Sequence, residues 1–328
     1  MAYSTRVLPG IIGNATSIHV LASQIEKIAV TEHPVLLKGE TGTGKELFAN
    51  AIHQLSGRTG EIIAVNCSAI PEHLFESLLF GHEKGAFTGA DKSHDGFFAQ
   101  AEQGTLFFDE IAELPLIHQP KLLRVLETKS FSRIGSAEKR RFTGRIISAS
   151  HENMALRVKE KAFREDLYYR LNLFELSIPS LAQRREDIPL LVHHFAKQHN
   201  NMIFSQCALE LLKYASWPGN IRQLKNTIDK LMILADDDYL SAQCIQKLLA
   251  CETDPNILKQ LAKEIIALPK ENKIKAIYDA LVEESMEQSQ GNKTKAAELL
   301  GVHRKVVERR LHRINDDIKA RRLYDKAM

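Results

Sequence analysis

The sequence contains no long apolar run. No stretch approaches the about 18 consecutive apolar residues that a membrane-spanning helix needs. The first residues also lack the charged-then-apolar layout of a secretory signal. We therefore expect no membrane span and a cytoplasmic location.

Cysteine is scarce as well. The four cysteines, Cys67, Cys207, Cys244 and Cys251, are scattered without the paired spacing of metal ligands. Neither a disulfide framework nor a zinc site is predicted, and reduced thiols are expected. Internal repeats and low-complexity tracts are also lacking, which argues against a solenoid or a repeat array.

Charge is unevenly distributed along the chain. The 328 residues are 44% hydrophobic, enough for more than one packed core, and their net charge is +3. Residues 291–328 hold 11 Lys and Arg against 5 Asp and Glu, so the remainder of the chain is net negative. An anionic partner is therefore expected to bind at the C-terminal end.

Short apolar runs alternate with helical patterns over residues 12–180. This alternation predicts an α/β subdomain in which helices flank a parallel sheet. The runs that we assign to strands are Val35–Leu37, Ile62–Val65, Leu106–Phe108 and Ile146–Ala149. Residues 1–11 are expected to form an N-terminal tail.

After residue 180 the pattern becomes helical throughout. Residues 181–250 are predicted to form an α-helical lid subdomain, in which Asn220 follows a Pro-Gly turn and would cap the next helix. A linker is expected over residues 251–271, where Pro255 and Pro269 interrupt a polar stretch. Residues 272–328 are predicted to form a helix-turn-helix DNA-binding domain with a basic tail.

A glycine-rich segment follows the first predicted strand and precedes a helix. In a phosphate-binding loop of this spacing, backbone N–H groups converge on the phosphates and a lysine contacts the β and γ oxygens. We therefore predict an ATP site formed by Gly39, Glu40, Thr41, Gly42, Thr43, Gly44, Lys45 and Glu46. Glu46 replaces the Ser or Thr that would contact Mg²⁺. The alternative is a glycine-rich turn that binds no ligand.

Two carboxylates end the apolar run at residues 106–108. They would reach the carboxyl edge of the sheet, where ligands of open α/β sheets bind. Asp109 is predicted to hold Mg²⁺, and Glu110 is predicted to activate the attacking water as general base. The alternative for these acids is a charge pair at the start of a helix. Arg164 and Arg170 are candidate cations for the developing phosphate charge, and surface ion pairs are their alternative.

Between the two nucleotide motifs lies a short segment of small residues with one aromatic ring and one hydroxyl. This composition suits a mobile loop tip that presents Phe87 and Thr88 to a partner. The segment consists of Gly85, Ala86, Phe87, Thr88, Gly89 and Ala90.

Two short helices separated by a glycine turn are predicted near the C-terminus. In the second, Val307, Leu311 and Ile314 share an inward face while basic residues face outwards. This arrangement indicates a helix-turn-helix with a basic recognition helix, and a solvated basic helix is the alternative. The predicted DNA contacts are Thr294, Lys295, His303, Arg304, Lys305, Glu308, Arg309, His312 and Arg313.

Together, these motifs resemble the bacterial enhancer-binding proteins, the AAA+ ATPase activators of sigma-54 RNA polymerase. The resemblance covers about residues 12–249 and returns at 291–311, and its most specific element is the hexapeptide at 85–90. It implies an AAA+ P-loop parallel sheet flanked by helices, an α-helical lid and a C-terminal Fis-type helix-turn-helix. The phosphate loop of this family also has Glu after its lysine, so Glu46 fits there.

The resemblance also implies roles for individual residues. Lys45 would bind phosphate, Asp109 would serve Mg²⁺ and Glu110 would be the catalytic base. Asn66 matches the asparagine that holds this glutamate away until a partner engages. Arg222 matches the lid arginine that senses the γ-phosphate.

The family works as a ring, which implies a homo-oligomer, from dimer to hexamer, with each site shared between subunits. Arg164 and Arg170 match the arginine fingers that act on a neighbouring subunit. Phe87 and Thr88, at the tip of the hexapeptide, would touch sigma-54.

Several positions depart from the family pattern. Ser150 and His151 stand where the family usually has Thr and Asn after the strand at 146–149. Ala182 and Gln183 replace an Arg and a Glu before the lid, and Leu78 replaces a common Glu. The change at His151 bears on the coupling of hydrolysis to loop movement. We expect a working ATPase that is slower than typical.

The motifs together predict a sigma-54-dependent transcriptional activator. It would bind double-stranded DNA upstream of promoters and use ATP and Mg²⁺ to remodel the sigma-54 RNA polymerase holoenzyme into an open complex. Because little sequence precedes the ATPase region, control by a trans-acting regulator protein or by abundance is expected. One alternative is a DNA-binding regulator that acts without sigma-54 and uses its ATPase core only for assembly. Another is a DNA translocase, which would not account for the hexapeptide.

Overall fold

A computed structural model describes residues 6–197, 203–234, 239–242, 245–246, 266–267, 273–289, 291–300, 302 and 304–311. The chain divides into two compact units, Met1–Leu248 and Leu249–Met328. The boundaries predicted for the tail, lid, linker and basic tail stay predictions, since most of 251–271 and all of 312–328 lie outside the described residues.

The first unit is built on a parallel sheet of five strands, as the alternating pattern predicted. Its spatial order is β5-β1-β4-β3-β2, so β4 lies at the centre between the strands that lead into the two nucleotide motifs. The strands are β1 (Val35–Lys38), β2 (Ile62–Asn66), β3 (Thr105–Asp109), β4 (Arg145–Ser150) and β5 (Phe174–Ser177).

Both faces of the sheet are covered at its three central strands, β1, β3 and β4, which explains why these contain continuous buried runs rather than alternating ones. Leu106 and Phe108 face one hydrophobic cluster, and Phe107, between them, faces another. All six residues of β4 are buried. The carboxyl ends of β1, β3 and β4 therefore form a rigid edge on which side chains can be positioned.

Helices cover the sheet and form the lid. In α1, Ile18, Leu21, Ala22 and Ile25 are buried on one face at helical spacing. The helices are α1 (Thr16–Ala29), α2 (Lys45–Leu55), α3 (Glu72–Phe80), α4 (Phe97–Gln100), α5 (Gln119–Thr128), α6 (Met154–Lys159), α7 (Glu165–Leu171), α8 (Ile188–Ala196), α9 (Gln206–Tyr214) and α10 (Asn220–Leu234).

Short strand pairs occur outside the main sheet. Three are antiparallel, and the fourth pairs two lid segments in parallel. The pairs are Arg6–Leu8 with Ile11–Ile12, Gly81–His82 with His94–Asp95, Ser130–Phe131 with Arg140–Arg141, and Ile203–Phe204 with Tyr239–Leu240. Short 3-10 turns occupy Cys67–Ala69, Ile111–Glu113 and Leu181–Asp187.

The lid packs on the phosphate loop through Asn220. The predicted helix cap at this residue is wrong in its detail, because α10 already begins at Asn220 and its side chain binds elsewhere. The Asn220 amide group donates to Glu40 Oε2 at 3.0 Å and to the Thr41 carbonyl at 3.1 Å. Its oxygen accepts from the Leu181 N–H at 2.7 Å. Asn220 therefore ties the lid to the nucleotide loop.

The second unit contains the helices Lys273–Gln288 and Lys293–Leu300 and a helical segment at 304–311. Val282, Ala296, Ala297 and Val307 form its small buried core, so the inward position predicted for Val307 is confirmed. Asn292 Oδ1 accepts from the N–H groups of Thr294 and Lys295 at the start of the second helix. Within the described parts of the chain, no helix is both long and apolar enough to span a membrane.

Candidate active site

The phosphate loop bends sharply between β1 and α2. Gly42 and Gly44 have φ angles of +81° and +96°, in the left-handed region that favours glycine. Lys45 is only 7% exposed, and its Nζ donates to the Gly39 carbonyl at 3.1 Å. The first turn of α2 and the lysine ammonium are therefore placed at the same end of the sheet, where they can receive phosphate.

Strand β3 delivers the two predicted carboxylates to this edge. Asp109 ends the strand, and Glu110 follows in a left-handed conformation with φ +51°. Burial, and next the charge of Glu110, raise the pKa of Asp109, although Lys45 acts in the opposite direction. The Asp109 carboxylate is thus incompletely compensated by protein groups, an environment that a cation would stabilise.

The Glu110 carboxylate is held by two neighbours. Its Oε1 lies 3.3 Å from Lys45 Nζ, and its Oε2 lies 2.6 Å from His151 Nδ1. Burial raises the pKa of Glu110, but the hydrogen bond from His151 and the charge of Lys45 outweigh it, and the pKa is lowered. Glu110 is therefore ionised at neutral pH.

Asn66, which the family resemblance assigns to restraining Glu110, lies at the same edge. It pairs in register with Asp109. Its Oδ1 accepts from the Ser68 N–H at 3.0 Å and from Ser68 Oγ at 2.7 Å, so it caps the turn after β2. Among the described residues, the groups that contact the Glu110 carboxylate are Lys45 and His151.

A cavity of about 660 Å³ joins these groups, within the range of about 300–1,000 Å³ typical of ligand pockets. One side carries the phosphate loop, Asn66, Asp109 and Glu110. The apolar residues that line the cavity include Ile11, Ile12, Leu191, Phe195 and Ile221. The cavity therefore combines a charged region for phosphates with an apolar region for a flat base.

The lid closes on the loop through main-chain contacts. The Arg222 N–H donates to the Gly42 carbonyl at 3.3 Å, and Arg222 is among the residues that line the cavity. Arg184, which is 1% exposed, donates from Nη2 to the Thr43 carbonyl at 3.0 Å. Sequence reasoning did not single out Arg184, and it noted His151 only as a departure from the family pattern, without a contact to Glu110.

Arg164 and Arg170 belong to α7 and its N-cap, and neither is among the residues that line this cavity. Arg164 makes two hydrogen bonds to the Asp166 carboxylate, at 3.0 and 2.7 Å. Arg170 Nη2 donates to the Leu126 carbonyl at 3.3 Å, and its side chain lines a second cavity beside Lys129. Within one chain, therefore, these arginines are separate from the phosphate loop.

The hexapeptide forms the tip of the loop between Gly81–His82 and His94–Asp95. The Gly85 N–H donates to the Ala90 carbonyl at 2.8 Å and the Ala90 N–H donates to the Phe87 carbonyl at 3.0 Å, so the tip is a closed turn. Phe87 is 43% exposed and its ring lies edge-on to His82 at 4.9 Å. Thr88 is also exposed. The two residues predicted to meet a partner are thus presented to solvent.

The base of this loop is held by ion pairs. Arg133, from the loop after Ser130–Phe131, contacts the carboxylates of Glu83 and Asp95. The Glu83 N–H donates to the Ile134 carbonyl at 3.0 Å. A movement of residues 132–135 would therefore also move the loop at 83–93 that carries the hexapeptide, which we call the contact loop.

In the second unit, the predicted DNA-contact residues that can be described are mostly exposed. Thr294, Lys295, Arg304, Lys305 and Arg309 face solvent, whereas Glu308 is half-buried and lies 3.0 Å from Arg304 Nε. The predicted contacts His303, His312 and Arg313 lie outside the described residues.

Arg310 has a different environment from its neighbour Arg309. Its Nε lies 2.5 Å from Asp279 Oδ1, its guanidinium stacks over Tyr278, and it donates to the Lys275 carbonyl. Arg310 therefore fastens the helical segment 304–311 to the first helix of this unit.

The described residues contain no group of three or more His, Cys, Asp or Glu side chains arranged to hold a metal ion. Cys67 and Cys207 are free thiols, whereas Cys244 and Cys251 lie outside the described residues. A site that shares Mg²⁺ with phosphate needs only one or two carboxylates, and Asp109 provides one.

Comparison with protein families matches three consecutive regions. Residues 11–177 match the Sigma-54 interaction domain, residues 182–262 match the AAA+ ATPase lid domain, and residues 279–313 match the Bacterial regulatory protein, Fis family. The first match alone covers about half of the chain.

Individual relatives align with nearly the entire chain. The transcriptional regulatory protein ZraR of Escherichia coli K12 is 40% identical over 311 residues, covering 93% of this chain and 68% of ZraR. The regulatory protein AtoC of the same strain is 40% identical over 321 residues, covering 94% of this chain and 68% of AtoC.

Solved structures support the same assignment. NtrX from Brucella abortus, in complex with ADP, aligns with a TM-score of 0.67 and 32% identity, over 92% of this chain and 68% of NtrX. The Thermotoga maritima branch-migration motor RuvB aligns with a TM-score of 0.52 at 14% identity, over 92% of this chain and 88% of RuvB, which shows a shared fold only. This chain therefore belongs to the family of sigma-54-dependent transcriptional activators, with an AAA+ ATPase domain and a Fis-type helix-turn-helix.

Proposed function

We propose that this protein binds DNA upstream of promoters and uses Mg²⁺-dependent ATP hydrolysis to remodel sigma-54 RNA polymerase into an open complex. One observation supports this most strongly. The phosphate loop, two carboxylates and a lid arginine converge on one cavity, while the same subdomain presents an exposed loop at Phe87 and Thr88.

Nucleotide binding follows from the cavity's two regions. Lys45 would exchange its contacts with Gly39 and Glu110 for phosphate oxygens, and the backbone amides of residues 41–46 would surround them. Arg222 would meet the terminal phosphate from the lid. The apolar residues Ile11 and Phe195 suit the face of an adenine base.

Asp109 would hold Mg²⁺, because its partly buried carboxylate lacks full compensation by protein cations. When bound, Mg²⁺ neutralises charge on the phosphate oxygens during phosphoryl transfer. Glu110, ionised and adjacent, would accept a proton from the attacking water.

The remaining cations would come from a neighbouring subunit. Arg164 and Arg170 lie on α7, away from the cavity of their own chain, and the Arg164 side chain is 44% exposed. In a ring, this helix would face the next subunit's nucleotide, so the active form is a homo-oligomer. Dimers that form through the DNA-binding unit would assemble into a hexamer.

The contact loop would couple hydrolysis to sigma-54. Its base is joined by Arg133 to the segment that follows α5, so a movement of that segment during hydrolysis would move the tip. Phe87 and Thr88 would engage sigma-54 and transmit this movement to the holoenzyme. A trans-acting regulator protein that covers this surface would restrain the activator.

DNA recognition would rest on the exposed cations of the second unit. Arg304, Lys305 and Arg309 lie on a helical segment whose opposite side packs on Val282. Such a segment can enter the major groove, where cations contact phosphates and guanine edges.

Sharing of sites can be tested by mixing two inactive variants. Glu110→Gln lacks the base and Arg164→Ala lacks a finger, so each alone should hydrolyse ATP poorly in the presence of Mg²⁺. In mixed rings, about one site in four would combine an intact base with an intact finger, and activity should reappear. Failure of any mixture to recover activity, although the variants co-assemble, would contradict sharing between subunits.

A further inference from the structure

The carboxylate of Glu110 is occupied at both of its oxygens. Lys45 Nζ lies 3.3 Å from Oε1 and His151 Nδ1 lies 2.6 Å from Oε2, while the His151 backbone N–H also approaches Oε2 at 3.4 Å. The Glu110 side chain is 17% exposed. A general base must direct a free oxygen at the attacking water. This arrangement therefore directs both Glu110 oxygens at protein groups, and catalysis would need one of them to turn towards the attacking water.

His151 is firmly placed to do this. It follows β4, the central strand, whose six residues are all buried. The last residue of that strand, Ser150, accepts from the Gly39 N–H at 3.2 Å, which ties the strand end to the phosphate loop. The His151 side chain itself is 43% exposed, so the ring has room to turn while its backbone stays fixed.

The hydrogen bond has a defined direction. An ionised carboxylate can only accept, so this hydrogen bond requires the His151 tautomer that carries a proton on Nδ1. A short bond from a ring nitrogen to a charged oxygen is charge-assisted and stronger than a neutral one. Releasing Glu110 therefore requires breaking a strong contact.

The other candidate restraints are weaker in this protein. Asn66 uses its side-chain oxygen to cap the turn at Ser68. Lys45 contacts Glu110 here, but a phosphate-loop lysine is drawn to the β and γ oxygens when nucleotide binds. Once nucleotide draws Lys45 away, His151 would thus be the contact that remains on Glu110.

We propose that His151 is the positioning residue that restrains Glu110, and that its release sets the rate of ATP hydrolysis. This inference rests on the proposed function, in which Glu110 is the catalytic base. His151 acts through Glu110 and needs no contact with the attacking water.

The kinetic test compares three substitutions. His151→Ala removes the donor and should raise kcat, measured without sigma-54, about tenfold, with KM for ATP unchanged. His151→Asn keeps an amide nitrogen at the same number of bonds from Cβ as Nδ1, so it should restore kcat towards wild type. His73→Ala, at an exposed histidine on α3, is the matched control. A lower kcat or a higher KM in His151→Ala would overturn the proposal.

A second test needs no hydrolysis. Urea unfolding of the nucleotide-free protein is measured for wild type, His151→Ala, Glu110→Ala and the double variant. If the two side chains interact, the double variant should lose less stability than the two single losses added together. Additive losses would overturn the proposal. A wild-type protein that binds but never hydrolyses ATP would instead overturn the proposed function, and this cycle would still decide whether His151 holds Glu110.

Discussion

Replacing Gly42 with alanine would test how the lid closes on the phosphate loop. Gly42 has φ +81°, and a Cβ built there would lie 2.3 Å from the Gly219 carbonyl oxygen and 3.1 Å from Arg222 Cβ. Both obstructing atoms are backbone or close to it, so they cannot rotate away like the end of a long side chain. The loop and the lid would have to separate.

Gly57 provides a matched control, because it has φ +69° and no heavy atom lies within 4 Å of a Cβ built there. Gly57→Ala should lower the free energy of unfolding by about 1–2 kcal/mol, the cost of a left-handed alanine. Gly42→Ala should add about 1–3 kcal/mol for overpacking. Because the Arg222 N–H bonds to the Gly42 carbonyl, nucleotide affinity should also fall about tenfold or more.

Urea unfolding and calorimetric titration with ADP would measure both effects. We expect Gly57→Ala to bind ADP as the wild type does. If Gly42→Ala also bound ADP normally and were no less stable than Gly57→Ala, the contact between Gly42 and Gly219 would not be what closes the site.

Three further predictions concern single side chains. Glu110→Gln should abolish hydrolysis but retain ATP binding, and normal turnover would reject Glu110 as the base. Arg309→Ala should weaken operator binding several-fold in a mobility-shift assay. Arg310→Ala should mainly lower the melting temperature of the DNA-binding unit, because Arg310 pairs with Asp279. If both variants changed operator binding and melting temperature equally, Arg309 and Arg310 would not have these separate roles. Burial and then Arg58 lower the pKa of His53 below 6.5. The contribution of neutral His53 to the free energy of unfolding should therefore be fully present above pH 6.5 and be lost as pH falls through the pKa of His53 in the folded protein. A His53→Gln protein whose melting temperature fell equally over this pH range would contradict this.

The parts of the site that sequence could predict are the local ones. Gly39, Gly44 and Lys45 lie within one loop, and the strand before them and the helix after them are encoded by adjacent residues. Asp109 and Glu110, at the end of β3, could be assigned to the site because the carboxyl ends of parallel strands meet at one edge of the sheet.

The contacts that sequence could not predict join distant segments. Glu110 and His151 are 41 residues apart, and no local pattern shows that a histidine at the end of β4 would reach that carboxylate. Asn220 illustrates the same limit, since its position after a turn suggested a helix cap. Its actual partners, Glu40 and Thr41, depend on how the lid folds over the loop.

The neighbouring arginines of the second unit show where periodicity succeeded. Helical spacing from Val307 placed Arg309 outwards, and the structure leaves it exposed. Arg310 lies next to it and is equally basic, yet it packs against Tyr278 and Asp279. Charge alone did not distinguish the two residues, because the partner carboxylate is contributed by another helix.

If nucleotide state controls how the loop at 83–93 is presented to sigma-54, the protein should bind sigma-54 in one nucleotide state only. The most direct measurement is co-migration of the purified protein with sigma-54 on a native gel, without nucleotide, with ADP, and with ADP plus a metal fluoride that mimics the transferring phosphoryl group. We predict a complex only with the transition-state mimic, and its loss in Thr88→Ala. If no complex formed under any condition although ATP and DNA binding were intact, nucleotide-controlled binding to sigma-54 would be contradicted. A regulator that acts without sigma-54 would then be favoured.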